Sequence, residues 1–457
     1  MSEQLETPLR SIRSNAVWTF AANAVFSGMR WLTIVVLVRW GSSELVGQYV
    51  LGLAITQPIF MLAGLDMSSA QATDAKRDFS FREYSALRSL TVPLAVAVTA
   101  GLLFFLDLGS ETSLVVMLIA GTKVIGAADL LYFGVFAQHE RLDKAGKTMI
   151  GRGVLGLAGF VALLLWTGSL PWALVGMAAG WLIVLAVYAA PQSAALVASE
   201  SADNVVQLPL RTIWRARRLR QLAWLILPLG IAALLSSLTY NIPRYVVQAI
   251  LGNDQLGVFA AVAYIVQLVQ LFAKSFRHAT APRLAKYYAM DKMKAFSSLL
   301  LRVLIGFAAM SIAGVIIALA AGDWFLTTLY GPEYAEAEVL AIAIAASGLL
   351  TVTTFMNAGV LATRRFGPVL TTRAVGALAA LFSGLWLVPT SGLQGAAWSL
   401  LIGYGASSLT AAWFLRSAIA GHQPAPHDPD GANAEPAAES PSPRSLPSSA
   451  RPELETT

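Results

Sequence analysis

Four charged side chains stand where charge is expensive. Arg30, Lys123, Arg244 and Asp129 fall deep inside long apolar stretches, and a Lys or Arg at the centre of a membrane helix costs about 2.5–3.5 kcal/mol on insertion scales. A water-filled cavity or an anion is the simplest offset. Helical spacing gives the direction in which these groups point. Asn23, Ser27 and Arg30 lie at i, i+4 and i+7, one polar stripe on a helix face. Ser237, Asn241 and Arg244 repeat that spacing 214 residues later, and Gln248 extends it. Asp129 shares a stripe with Thr122 and Gly126, whereas Lys123 lies about 120° round the same helix. Three roles are open for Asp129: an ion pair with a neighbouring helix, a relay for a coupling ion, or a contact to substrate hydroxyls.

The elements that must hold these residues are membrane spans. The 457 residues are 56% hydrophobic and 13% charged, with a mean hydropathy of +0.63, outside the range of soluble domains. Spans of about 20 apolar residues are predicted at 15–38, 45–66, 89–107, 113–137, 150–166, 171–190, 221–251, 256–277, 297–320, 336–362, 369–388 and 393–416. The expected fold is an all-α polytopic membrane protein with about twelve transmembrane helices, arranged as two repeated six-helix lobes around a central cavity. The repeat is visible in the sequence. Gly47, Tyr49, Ile55 and Gln57 match Gly257, Phe259, Ile265 and Gln267 at a constant spacing of 210, and Gly134 to Ala137 resembles Gly359 to Ala362. Repeated halves with a site between them are a common transporter construction.

This reading divides the chain into an N-terminus (1–14), an N-lobe (15–190), a basic linker (191–220), a C-lobe (221–416) and a disordered Pro-rich tail (417–457). Lys and Arg concentrate in alternate loops, with Arg88, Arg152 and Arg373 counted among them, while Glu44, Glu111, Asp254, Asp323, Glu333, Glu336 and Glu338 occupy the others. The positive-inside rule then puts both termini in the cytoplasm. Spread over every inner loop, the basic residues also exclude a nucleic-acid partner. Arg10, Arg13 and Ala22-Asn23-Ala24 imitate a secretory signal, but the apolar core of about seven residues is at the short limit. The segment is expected to be retained.

Arg39, Lys274 and Arg302 lie near helix ends, where they can snorkel. Gln57 and Gln267 read as interhelical hydrogen-bond partners, and Gly151, Gly153, Gly156 and Gly159 as close helix packing. Pro228 and Pro243 predict a kinked or broken seventh helix. The chain has no cysteine, and its four histidines show no ligand spacing within a span, so neither metal nor cofactor is expected.

The opening SIRSNAVWTFAANAVFSGMRWLTIVVLVRWGSSELVGQYVLGLAITQP, the NIPRYVVQAILGNDQLGVFA segment and LYGPEYAEA at 329–337 resemble the bacterial polysaccharide-biosynthesis flippases. These belong to the superfamily that also contains lipid II flippases and multidrug and toxin extrusion antiporters. The resemblance covers residues 10–416. It implies a V-shaped pair of lobes in the inner membrane, moving an undecaprenyl-diphosphate-linked oligosaccharide between leaflets, with membrane lipids and polysaccharide polymerase or assembly proteins as partners. Arg30, Lys123 and Arg244 would then hold the diphosphate, and Asn23, Ser27, Ser237, Asn241 and Gln248 would line the cavity. Guanidinium groups suit that anion because they bind it bidentately. A cation-coupled drug antiporter ranks lower, since three deep cations face one deep acid. A non-transporting scaffold would leave the deep charges unexplained, and an enzyme would need paired acid-base groups that the sequence does not offer.

Overall fold

The computed structural model describes residues 12–65, 67, 79, 81–138, 141–199, 216–290, 292–362 and 367–420. In lipid every backbone polar group must be satisfied within its own segment, and the regular structure of these residues is helical throughout. Ten stretches are long and apolar enough to cross a membrane. Two of them bend at glycines with positive φ, Gly252 at 85° and Gly392 at 57°, a conformation that costs glycine little. Each of those two is therefore a pair of helices, which makes twelve among the described residues.

In chain order they are α1 (Ile12–Trp40), α2 (Ser43–Gly64), α3 (Phe81–Leu106), α4 (Ser110–Gln138), α5 (Leu142–Thr167), α6 (170–199, with a π turn at Leu185–Ala189), α7 (216–251), α8 (253–289), α9 (Met293–Leu329), α10 (Ala337–Ala362), α11 (367–391) and α12 (393–420). In the first six, α1 packs on α5, α5 on α6, and α2 on α3 and α4. In the last six, α9 packs on α10, and the α11–α12 pair on both α10 and the α7–α8 pair. The two lobes meet chiefly along α2 and the α7–α8 pair.

The residues that carry the internal repeat make that meeting. A Cβ on Gly47 would lie 1.9 Å from the carbonyl oxygen of Asn253, and one on Gly257 would lie 2.1 Å from that of Ser43. Each glycine thus admits the backbone at the start of its partner's helix. Ser43 Oγ donates to Asp254 Oδ1 at 2.8 Å in the same place. Around this crossing Ile34, Leu37, Val46 and Val50 share one buried cluster with Val246, Val247, Val258 and Phe259. Nearby, Trp31 Nε1 donates to Tyr330 Oη at 3.1 Å, and Arg39 donates to the last carbonyls of α9, with Nε on Leu329 at 2.8 Å. At the other end of the interface, the base of α7 docks on the N-lobe through Leu219, Leu222 and Ile226, which pack with Leu65, Tyr84 and Leu87. Arg218 Nε lies 2.9 Å from Glu83 Oε1 there.

Three expectations change. Neither proline breaks α7, whose backbone leaves helical geometry only at Gly252; proline accepts helical φ and forfeits a single donor. The predicted short fifth span is 26 residues long, because its first two turns carry Asp143, Lys144 and Lys147, which hide a continuing helix from a hydropathy reading. Helices also enter the predicted basic linker from both sides, α6 ending at Ser199 and α7 starting at Ala216. The middle of that linker (200–215), the N-terminal residues 1–11 and the tail beyond Ala420 lie outside the described residues. The predicted glycine packing appears between α5 and α6, where a Cβ on Gly159 would lie 2.3 Å from the carbonyl oxygen of Gly176.

Candidate functional site

A cavity of about 880 Å³ is enclosed mainly by α1 to α6, with Ala232, Ala233 and Ser236 of α7 and Arg373 of α11 completing its wall. Among the described residues, five basic side chains line it, Arg30, Arg88, Lys123, Arg152 and Arg373, against one carboxylate, Asp129. That is a surplus of four positive charges in a site with low-dielectric walls, where a charge acts at longer range than in water.

Each cation is held by its own set of neighbouring groups. Arg30 and Lys123 expose part of their surface, and it faces the cavity. Arg30, on α1, lies among the hydroxyls of Tyr49, Tyr240 and Tyr264, within hydrogen-bonding reach of the last. Lys123 Nζ donates to Gln57 Oε1 at 2.6 Å, joining α4 to α2. Arg88 is buried and donates through Nη1 to the carbonyl of Ala127 at 3.0 Å. Arg152 donates from Nη1 to Oδ2 of Asp129, and its guanidinium lies 4.3 Å from the centre of the Trp181 ring. Arg373 Nη1 donates to the carbonyl of Ala232 at 2.5 Å. The Nε atoms of Arg88 and Arg152 are buried without a hydrogen-bond partner. A buried donor left so costs roughly 1–3 kcal/mol, and here each belongs to a cation on the cavity wall.

Of the residues singled out in the sequence, Asn23, Arg30, Lys123 and Asp129 line this cavity. Ser27, Ser237, Asn241, Arg244 and Gln248 are not among its lining residues. Ser27 and Gln248 are half-buried elsewhere on their helices. The other three form a ladder along α7: Asn241 Nδ2 donates to the Ser237 carbonyl at 2.9 Å, and Arg244 Nη1 donates to Asn241 Oδ1 at 3.0 Å. Arg244 Nη2 donates to the Tyr240 hydroxyl, and its guanidinium lies 3.8 Å from that ring's centre. Tyr404 of α12 lies against the same group.

Sequence reasoning missed Arg88, Arg152 and Arg373, which it counted as loop charges. All three stand inside helices: Arg88 lies one residue before the predicted third span, because α3 already starts at Phe81, whereas Arg152 and Arg373 lie near the starts of the predicted spans 150–166 and 369–388 and were read as charges of the adjoining loops. A signal was available for Arg152. It stands within Ile150-Gly151-Arg152-Gly153-Val154, between small residues and continuous with an apolar helix. Gln57 joins Lys123 as an interhelical partner, as read; the side chain of Gln267 is outside the described set. Among the described residues, no group of three His, Asp or Glu side chains could hold a metal ion.

Two six-helix lobes and a charged internal cavity define a multi-pass membrane protein with a transporter fold. The chain matches the model of the polysaccharide biosynthesis protein family over residues 12–288, more than half its length, and it belongs to that family. It is similar to the capsular polysaccharide biosynthesis protein CapF of Staphylococcus aureus, 26% identical over 391 residues that cover 85% of this chain and 95% of that one. In fold it resembles an inward-facing multidrug resistance MATE family transporter, with a TM-score of 0.67 and 14% identity over 89% of this chain and 98% of the other. It resembles equally the lipid II flippase MurJ in an inward closed conformation, at 0.67 and 11% over 88% of this chain and 89% of the other.

Proposed function

We propose that this protein is a flippase, not an enzyme, that carries an undecaprenyl-diphosphate-linked oligosaccharide across the bacterial inner membrane by alternating access, for synthesis of a cell-surface polysaccharide. The observation that carries the reading is the cavity's surplus of four positive charges. A diphosphate is the anion that such a set of guanidinium and ammonium groups desolvates and binds. In this conformation Arg30 and Lys123 take the diphosphate with Arg88, Arg152 and Arg373, while Arg244 is engaged by its own helix. The sugars occupy the apolar and aromatic remainder of the cavity, and the lipid tail stays in the bilayer. Orientation follows the distribution of Lys and Arg, with both termini cytoplasmic, and the division into N-lobe, linker, C-lobe and tail is kept as the working domain plan. A drug antiporter selecting cations is disfavoured by the same field, which repels its substrates.

Transbilayer movement of a diphosphate-linked oligosaccharide in proteoliposomes tests this directly. The parent should transport, and the Arg30→Gln plus Lys123→Gln variant should not at equal folded amounts. Accumulation of organic cations by a parent that fails to move the oligosaccharide would overturn the proposal.

A further inference from the structure

We propose that Asp129 is a resident counter-anion that competes with the substrate's diphosphate for Arg152, so that it sets how readily the substrate leaves. The inference rests on the reading above and concerns one residue of the same cavity. Asp129 and Arg152 are 5% and 7% exposed and face each other from α4 and α5. The carboxylate engages Arg152 at one point, Nη1. The rest of the guanidinium is not matched by the carboxylate: Nε is buried without a hydrogen-bond partner, and Nη2 lies against Gly126, 3.5 Å from where a Cβ would be. One face is covered by Trp181, and the Phe26 ring centre is 5.5 Å away.

The other cations are held differently. Lys123 is bound by a neutral carboxamide, and Arg88 by a backbone carbonyl. Among the described residues that line the cavity, Asp129 is the one acidic side chain, and its charge opposes an incoming anion. Lys123, Arg30 and Arg152 line the same cavity. A diphosphate taking Arg152 must displace or crowd the carboxylate, and like charges at one guanidinium repel. That repulsion weakens binding and favours release. A purely structural ion pair would predict the opposite response, because neutralising Asp129 would only loosen the wall.

Isothermal titration of the purified full-length protein with inorganic pyrophosphate separates the two, using the parent, Asp129→Asn, Asp129→Glu, Arg152→Gln and the Asp129→Asn, Arg152→Gln double variant. Asp129→Asn should bind about tenfold more tightly, with slower flux at saturating lipid substrate, and Asp129→Glu should stay near the parent. The gain should vanish in the Arg152→Gln background, since the competition is for that side chain. Unchanged or weaker binding by Asp129→Asn overturns the inference, as does a gain that persists without Arg152. If Asp129→Asn does not yield folded protein, Arg152→Gln against the double variant decides: equal affinities support the proposal, and a tenfold difference sinks it. A parent that binds no pyrophosphate would remove the anion-cavity reading itself.

Discussion

The equivalent stripes of α1 and α7 begin as copies and end as opposites. Both carry a polar residue, then another four positions on, then an arginine three further, yet Arg30 lines the cavity and Arg244 is folded against its own helix. The difference lies in the residues three and four positions before each arginine. Ahead of Arg244 stand Tyr240 and Asn241, which supply a hydroxyl, an aromatic face and a carboxamide oxygen within reach. The corresponding residues before Arg30 are Phe26 and Ser27, which lack that long-reach acceptor. A repeat can therefore preserve a cation while altering what it is free to bind, because i−3 and i−4 neighbours compete with any ligand for a guanidinium.

The strongest way to break this comparison is to remove the side of it that lines the cavity. Replacing Arg30 and Lys123 together with glutamine should lower oligosaccharide transport at least 100-fold, as each charge-assisted contact is worth roughly 1.5–3 kcal/mol; size-exclusion profiles should match the parent. Arg152→Gln comes next and acts on both stability and transport. It strands a buried carboxylate, which costs about 3–5 kcal/mol, so the detergent melting temperature should fall by several degrees, and an unchanged melt would show that the pair contributes little. Gly257→Val tests the other shared feature, the crossing of α2 and α8. Its side chain would meet the Ser43 carbonyl, and overpacking of this kind costs about 1–3 kcal/mol, which thermal unfolding should register as a lower midpoint. The smallest effect belongs to Arg244→Gln, expected to reduce transport less than about fivefold. Loss comparable to that of the Arg30 and Lys123 variant would mean that the two arginines act as a pair after all. Tyr240→Phe with Asn241→Ser sharpens the contrast from the other direction: freed from its ladder, Arg244 should make inorganic pyrophosphate binding a few-fold tighter by titration.

Much of the fold was legible in the chain because membrane helices advertise themselves locally. The twelve apolar stretches, the Gly47 and Gly257 match and the α5 glycines all became elements or contacts of the structure, since span length and small-residue spacing need no knowledge of distant partners. Half of the site was legible too. Arg30, Lys123 and Asp129 stood out because charge inside an apolar run is costly wherever it occurs. Arg88, Arg152 and Arg373 did not, because each stands within a few residues of the predicted edge of its span, where an arginine is expected to reach the membrane surface.

What the sequence determined by itself was that this is a helical membrane protein, internally repeated, with cations in its interior. What only the tertiary structure decided was which of those cations share a cavity. Hydropathy and periodicity are properties of neighbours along the chain, but a guanidinium's availability depends on what packs over it. That is set by α4 meeting α5 at Asp129 and Arg152, by α2 meeting α4 at Gln57 and Lys123, and by α7 closing on its own Arg244.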